Sequence, residues 1–432
     1  MKHYLNSILV SSFSLLLLGF ICFSSNTKNV VTDKIGEIQY NQNLDSLVVT
    51  SKGGIIRIDK EINLGGKTLI VPPNCVLKFS DKGCITNGKV CGNGTKIYGS
   101  TKQIFDNVKI LGSWLVPQIS TAMFRHPDRI NTLKEVVNLS SDSCNNVIEI
   151  KRGVFQLDFE NNELAALKLR SRTKIVNHGT IRIFPNNLQR HYIIWCDRVD
   201  NVTIQGGKII GDRKDHIGKD GEWGYGICAT RATNLKINNV EIEQCWGDCV
   251  CLGVDNSNVT ISNCKLHDSR RQGITIAGRE NIKIENCKIY NIYGTEPQSA
   301  IDIEPDPNGM ITNVCISNVE IKNCKVGVQV YGGAKNVKIS NIKISDVSVS
   351  SLFDCRNAFY FAFADSIYVD RCKSQNLIAD GIRVENCREE VFLSNNTLIT
   401  IGKNAIVNVG DNPIKIKNNK LVGGVRGLVS KQ

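Results

Sequence analysis

Carboxylates, arginines and tryptophans gather in one stretch of this sequence. Asp302 and Glu304 stand two residues apart in the run Ala300-Ile301-Asp302-Ile303-Glu304-Pro305. On a β-strand that buries Ile301 and Ile303, both acids face outward, about 6.6 Å apart at the backbone. Carboxyl groups so placed can span the roughly 5–9.5 Å used to cleave a glycosidic bond, one as acid and the other as base or nucleophile. Like charge at that distance raises one of the two pKa values, which gives an acid beside a base. Asp248, in Trp246-Gly247-Asp248-Cys249, is the third catalytic candidate. On this reading it reaches the same cleft only through a long substrate or a bend in the strand. An outward Asp-x-Glu is also ordinary solvated surface, so the case rests on its neighbours.

Those neighbours suit substrate binding. One long loop carries Asp212, Arg213, His216, Glu222 and Trp223, and a later turn reads Arg270-Arg271-Gln272. Paired N–H donors on Arg270 and Arg271 match a uronate or sulfate, although they could equally neutralise Asp248 or Asp268. Trp223 and Trp246 offer flat apolar faces for sugar rings, or for packing of the loop. His216 reads as a hydrogen-bonding loop residue, and His267 with Asp268 leaves a second His/Asp arrangement open. Tyr331, Asp354, Arg356 and Arg383 extend the candidate flank. No paired C-x2-C zinc spacing, P-loop, G-x-G-x-x-G turn or G-x-S-x-G elbow occurs, so neither a metal nor a cofactor is expected.

What brings such distant residues together is a repeat. The phrase Asn, apolar, x, Ile opens at Asn201, Asn234, Asn258, Asn281, Asn313 and Asn336, and related coils begin at Ser366 and Glu390. A step of roughly 23 residues with occasional additions of about nine is the mark of a solenoid whose loops leave at one corner. Five residues after each start lie Gly206, Asn239, Asn263, Asn286, Asn318, Asn341 and, in a later coil, Asn395. Gly and Asn accept the left-handed backbone of a sharp bend. Between bends, Val202-Thr203-Ile204 and Ile282-Lys283-Ile284 alternate with period two, as half-buried strands do. Three short strands per coil, each paired in parallel with its copy, predict an all-β, right-handed parallel β-helix with an apolar interior. Asp302 then lies level with Thr275 and Cys251, while Cys264 and Cys287 fall at the inward offset of Val240 and Val319.

Composition fits an exported solenoid. The 432 residues carry 53 basic and 41 acidic side chains, a net charge of +12, with 41% hydrophobic residues and 17 cysteines. That is too apolar for a disordered tail. Many lysines fall on wet strand positions (Lys236, Lys283, Lys338, Lys415) and aromatics are not interleaved with them, so nucleic acid is not the expected partner. Residues 1–25 read as an export signal, with Lys2 and His3 before the apolar run from Ile8 to Phe20. A lipid on Cys22 is disfavoured by Ile21, and no later stretch approaches membrane length. A β-rich segment is expected over 26–128 and the β-helix over 129–432. Thr132 to Val137, entered through Asn131, forms a short capping helix before the strand–Gly–strand Val147 to Phe155. Lys415 to Leu428 forms a weakly capped or frayed end.

With these motifs in hand, residues 130 to 425 resemble the pectin-lyase-like superfamily of right-handed β-helices. The resemblance implies action on acidic or acetylated polysaccharides along one flank of the helix. Trp246-Gly247-Asp248-Cys249 stands where the family 28-type hydrolases place Gly-Asp-Asp, and Arg270 to Ile276 stands where they place a His-Gly pair. The second Asp, that His and the Arg-Ile-Lys motif are absent, and so is a calcium-dependent lyase signature. The expectation is an exported enzyme cleaving glycosidic bonds of an acidic polysaccharide by carboxylate acid/base catalysis. The alternatives are a β-eliminating lyase with His267 or Tyr293 as base, an epimerase, or a non-catalytic glycan-binding β-helix.

Overall fold

The structure is a computed structural model. It describes residues 54–424 apart from 99–101, 127–129, 161–162, 334–335 and 352–354, with the short strands Ile35–Gly36, Ser46–Val48 and Val429–Lys431. The expected export signal, Cys22, Arg129 and Asp354 lie outside the described residues.

Three long parallel sheets dominate. Each turn of the chain visits sheet I, then sheet II, then sheet III. Sheet I has 12 strands, from Gln118–Ser120 to Ile414–Lys417, and sheets II and III have 11 each. Within every sheet the order of strands follows the order of coils, so each strand pairs with its copy one coil away. This is the stacked parallel solenoid that the repeat predicts. Ahead of it, the long strands Cys84–Tyr98 and Phe105–Trp114 pair in parallel within a separate 9-stranded sheet.

The interior is built from the inward halves of the alternating strands. On sheet I, Ile237, Ile261, Ile284 and Ile316 stack rung upon rung at 0% exposure. Each such side chain contributes about 1.5–3 kcal/mol by leaving water. Cys264 and Cys287 are interior thiols, as their offset implies. The helix spans Thr132–Asn138 and buries Leu133, Val136 and Val137. Its entry residue Asn131 is left-handed (φ 56), and its side chain serves Asp158 N and Glu160 instead of the helix. At the carboxyl-terminal end, strands Ile414–Lys417 and Lys420–Gly424 continue sheets I and II.

The bends follow the Asn register with one correction. Gly206, Asn239, Asn263, Asn286, Asn318 and Asn395 all have positive φ at the predicted corner. Asn341 does not occupy that corner. It stands one coil above Asn313, to which its Nδ2 donates, and Asp346 (φ 54) makes the bend instead. The true start of this coil is therefore Asn341-Ile342-Lys343-Ile344. The similar Asn336-Val337-Lys338-Ile339 misleads because it repeats the same phrase five residues earlier, running into the strand Lys338–Ser345. The openings Asn201, Asn234, Asn258, Asn281 and Asn313 are left-handed as well, a second strained row that the spacing did not reveal. Their amides bond along the axis, for example Asn281 Nδ2 to Asn258 Oδ1 at 3.2 Å.

At Asn286 (φ 55) the backbone itself sets the residue type. Asn286→Val should lower unfolding free energy by about 1–2 kcal/mol relative to Asn286→Gly, measured by urea denaturation. Equal stability of the two variants would show that the corner is not strained.

Candidate functional site

The outward face of sheet III turns distant residues into neighbours. Along one row, successive coils contribute Cys228, Cys251, Thr275, Asp302 and Gln329. Asp302 is thus level with Thr275 and Cys251, as the alignment expects. Ile301 and Ile303 on either side are fully buried in the core, so Asp302 points away from it. It is nevertheless 0% exposed. Gln272 Nε2 donates to Asp302 Oδ2 at 2.7 Å, and Gln329 Nε2 donates to Oδ1 at 3.0 Å. The expected pair of wet carboxylates therefore divides into two layers, a half-buried Glu304 and an Asp302 roofed by amides.

Asp248 joins this cluster without any long substrate. The turn before its strand folds over the sheet, with Gly247 N bonded to Gly224 O at 2.7 Å. A Cβ at Gly247 would lie 2.5 Å from Glu222 O, so only glycine permits the approach. Asp248 is fully buried, and Thr275 Oγ1 lies 2.7 Å from its Oδ2 and 3.0 Å from Gln272 Oε1. A hydroxyl has one proton to give. Both contacts are hydrogen bonds together only when Asp248 is protonated and donates to Thr275. When Asp248 ionises, the Thr275 hydroxyl donates its hydrogen bond to the carboxylate, and Gln272 Oε1 loses its donor. Arg271 completes the group, with Nη1 3.4 Å from Asp248 Oδ2 and Nε 3.9 Å from Glu222 Oε2.

Burial sets the proton affinities. It pushes Asp302 up to about 7, with the charge of Glu304 adding to the rise and the Gln272 bond and Arg271 opposing it. Burial likewise raises Asp248 to about 6 against Arg271 and Thr275. Glu304 is raised too, again by burial, against Arg271 and a hydrogen bond from Asp302. Arg271 is desolvated, yet the surrounding Asp248, Tyr225, Glu222 and Asp302 hold its proton more tightly than usual. Two aspartates that titrate near neutral pH, with Glu304 raised beside them, can hold, share and release protons around one guanidinium.

Several predicted binding residues are committed to protein contacts instead. The Asp212 side chain is 0% exposed and the His216 side chain 1%. His216 Nδ1 donates to Asp212 Oδ2 at 2.7 Å, while Asn186 Nδ2 donates to the same oxygen. Burial would raise Asp212, but His191 and His216 outweigh it and hold the carboxyl below the usual range. Arg213 donates to the carbonyls of Asp268, Ser269 and Tyr293. Arg270 donates to Gly221 O at 2.7 Å, and its guanidinium lies 3.8 Å from the Trp246 ring centroid. Trp246 is itself buried, stacked on His216 at 3.9 Å. Most of their polar atoms are engaged within the protein, so these residues position two loops, while His216 Nε2 and Asp212 Oδ1 are buried without a hydrogen-bond partner. Gln272 supports Asp302 from a fully buried site. Glu222 and Trp223 keep partial exposure at the cluster's edge. Arg383 lies further along the Asp302 row but pairs with Asp380 and Glu385.

Two features escaped the motif reading. Gln329 is the next residue along the Asp302 row, and register alone would have found it. Tyr192, Tyr225, Cys228 and Cys251 form an apolar shelf outside the main core, flanked by Trp195 and Trp223. Tyr192 and Tyr225 stack at 5.4 Å, and Arg190 lies 4.8 Å from the Trp223 ring centroid. On sheet II, Glu241, Glu243 and His267 converge, where Lys208 Nζ sits 3.0 and 2.9 Å from the two carboxylates and Lys265 Nζ lies 3.6 Å from Glu241. His267 also bonds Asp268 at 2.6 Å and stacks on Tyr290, away from Asp302.

A family model described as the right handed beta helix region matches residues 154–303 and again 251–421. The chain belongs to this family. The uncharacterized protein YclG of Bacillus subtilis (strain 168) is 30% identical over 162 residues, or 33% of this chain and 28% of that protein. The SPbeta prophage-derived uncharacterized protein YorA of the same strain is 28% identical over 200 residues, or 39% and 34%. The matches therefore span about a third of the length of these curated relatives. Among solved structures, a hyperthermoactive exopolygalacturonase from Thermotoga maritima aligns with a TM-score of 0.53 at 14% identity, covering 73% of this chain and 90% of that one. At that identity the likeness is one of fold, a pectin-lyase-like right-handed parallel β-helix.

For a right-handed β-helix carrying this cluster, stability should depend on pH with a definite sign. A carboxyl raised on folding binds its proton more tightly in the native state, so stability falls as pH climbs from about 4 through about 7. Asp302→Asn should therefore raise the thermal midpoint above pH 7 and lose that advantage near pH 4, read by calorimetry. A pH-independent difference would mean that Asp302 is not strained by its charge.

Proposed function

We propose that the protein is an exported enzyme that hydrolyses glycosidic bonds of an acidic polysaccharide at the carboxyl cluster of sheet III. The observation that carries this reading is the gathering of Asp248, Asp302 and Glu304 around Arg271, with raised proton affinities. The shared fold with an exopolygalacturonase supports it, as do the aromatic shelf beside the cluster and the net charge of +12. Attraction between a basic protein and an anionic polymer raises the local substrate concentration.

In this mechanism Glu304 is the outermost carboxyl and meets the sugar, while Asp302 beneath it holds the proton. As the glycosidic C–O bond breaks, that proton passes to the leaving oxygen. Asp248, ionised above about 6, takes a proton from the water whose oxygen forms the new bond to carbon. Arg271 offsets the negative charge that collects during the exchange. Asp248 and Asp302 have no exposed surface, so substrate reaches them only when the amides of Gln272 and Gln329 that cover Asp302 give way. That same covering favours a second reading, in which the outer face of sheet III binds glycan without cleaving it.

A polysaccharide panel read for reducing ends and for the ultraviolet absorbance of an elimination product separates these readings. Hydrolysis predicts reducing ends alone, with a bell-shaped pH profile that rises near 6 and falls near 7. Asp302→Asn, Asp248→Asn and Glu304→Gln should each lower kcat by about 10²–10⁴-fold. Binding without product release would support the second reading, and an unsaturated product would assign a lyase. Undiminished turnover in the Asp302→Asn and Glu304→Gln double variant would overturn the site.

A further inference from the structure

The outward face of sheet I carries a pattern that the carboxyl cluster does not explain. In an in-register parallel sheet, one outward position per strand forms a straight row with a rung about every 4.8 Å. Along one such row, Lys174, Lys236, Lys283 and Lys343 occupy alternate rungs. Thr203, Thr260 and Cys315 stand between them. The ammonium groups are thus anchored about 10 Å apart over seven rungs. The next two rungs are the exposed Tyr368 and the partly buried Phe392.

All four lysines are exposed. Lys283 pairs with Glu285 at 2.7 Å, whereas Lys174, Lys236 and Lys343 have no ion pair among the described residues. Most flanking positions are neutral amides and hydroxyls, apart from Arg172 and Val176 beside Lys174 and Glu285 beside Lys283. On one side run Asn234, Asn281 and Asn341, and on the other Asn238, Ser317 and Ser345. Solubility alone does not call for this order, since charges of mixed sign anywhere on the face would supply it. Cations at a fixed interval, hydroxyl-binding amides beside them and aromatic faces at one end suit a sugar polymer.

The period selects the polymer. In an extended glycan, each pyranose advances by about the height of one rung, so a lysine at every second rung matches one anionic group per disaccharide. Phosphates of a nucleic acid strand recur too closely, at about 3.4 Å, to meet the row one for one. We propose that this face of sheet I is a non-catalytic binding surface for a linear acidic polysaccharide with one charge per disaccharide. It lies on a different sheet from Asp302, so it stands or falls independently of the hydrolase reading.

Hyaluronan, which carries one carboxylate per disaccharide, is the probe, and calorimetry on the full chain at two salt concentrations is the measurement. Wild type should bind, and more weakly at the higher salt. The quadruple variant Lys174→Gln, Lys236→Gln, Lys283→Gln, Lys343→Gln should lose at least about tenfold in affinity with an unchanged thermal midpoint. A control that removes the same charge elsewhere, Lys67→Gln, Lys78→Gln, Lys82→Gln, Lys89→Gln, should keep its affinity. Tyr368→Ala should weaken binding severalfold without altering its salt dependence. If the quadruple variant misfolds, Lys236→Gln and Lys283→Gln singly should each weaken binding. Equal loss in the control would reduce the effect to net charge and overturn the proposal. So would binding of double-stranded DNA or phosphatidylglycerol vesicles as tightly as hyaluronan at the same salt, or no hyaluronan binding at all.

Discussion

Parallel pairing in strict register governs everything else in this molecule. A strand that pairs with its own copy one coil later must repeat its inward and outward choices, or a polar group enters the core. Inside, the result is the stacked rows of Ile237, Ile261, Ile284 and Ile316. Outside, the same rule acts without the apolar restriction, so a row can change character from coil to coil. The row through Asp302 does so: thiols at Cys228 and Cys251, a hydroxyl at Thr275, a carboxyl, then an amide at Gln329. Function is written along such rows, while stability comes from the rows that face inward.

That change of character accounts for the electrostatics. Asp302 stands on the sheet with Gln272 and Gln329 over it, so its charge is cut off from water while both oxygens accept amide protons. Asp248 is desolvated as well, but by a turn laid across the sheet. Arg271 is the compensating charge common to both. A buried carboxyl with an arginine close by is usually held ionised; here desolvation and the nearby Glu304 outweigh that pull for Asp302. Thr275 ties the two aspartates together, because its single proton cannot satisfy Asp248 and Gln272 at once unless Asp248 supplies another. A change at one acid is thus transmitted to the amide that holds the other.

How much of this was legible beforehand follows from what each feature depends on. The fold depends on periodicity, which a linear sequence displays openly: the Asn corners, the alternating strands and the level of Asp302 with Thr275 could all be read. The slip at Asn336 came from a second copy of the same phrase five residues early, and only pairing partners distinguish the copies. Burial of Asp302 could not be read, because it depends on the side chains of Gln272 and Gln329 meeting across neighbouring coils. The roles of Asp212, His216, Arg213 and Arg270 were likewise hidden. Their residue types suit sugar binding and loop bracing equally well, and only their bonded partners decide.

Those four residues show why both insertions leave from the same corner. Arg213, on the first long loop, crosses to the carbonyls of Asp268 and Ser269 in the coil turn and to Tyr293 at the root of the second loop. Arg270, on that coil turn, reaches back to Gly221 in the first loop. Each arginine fastens the segment that carries the other. Between them Trp246 is clasped by His216 on one face and Arg270 on the other, a cation–π contact of about 1 kcal/mol where partly desolvated. Glu222 follows directly from the first loop, and Arg271 directly from the coil turn. Bracing the loops therefore fixes the two side chains that flank Asp248, and the insertions are walls of the carboxyl cluster as much as they are loops.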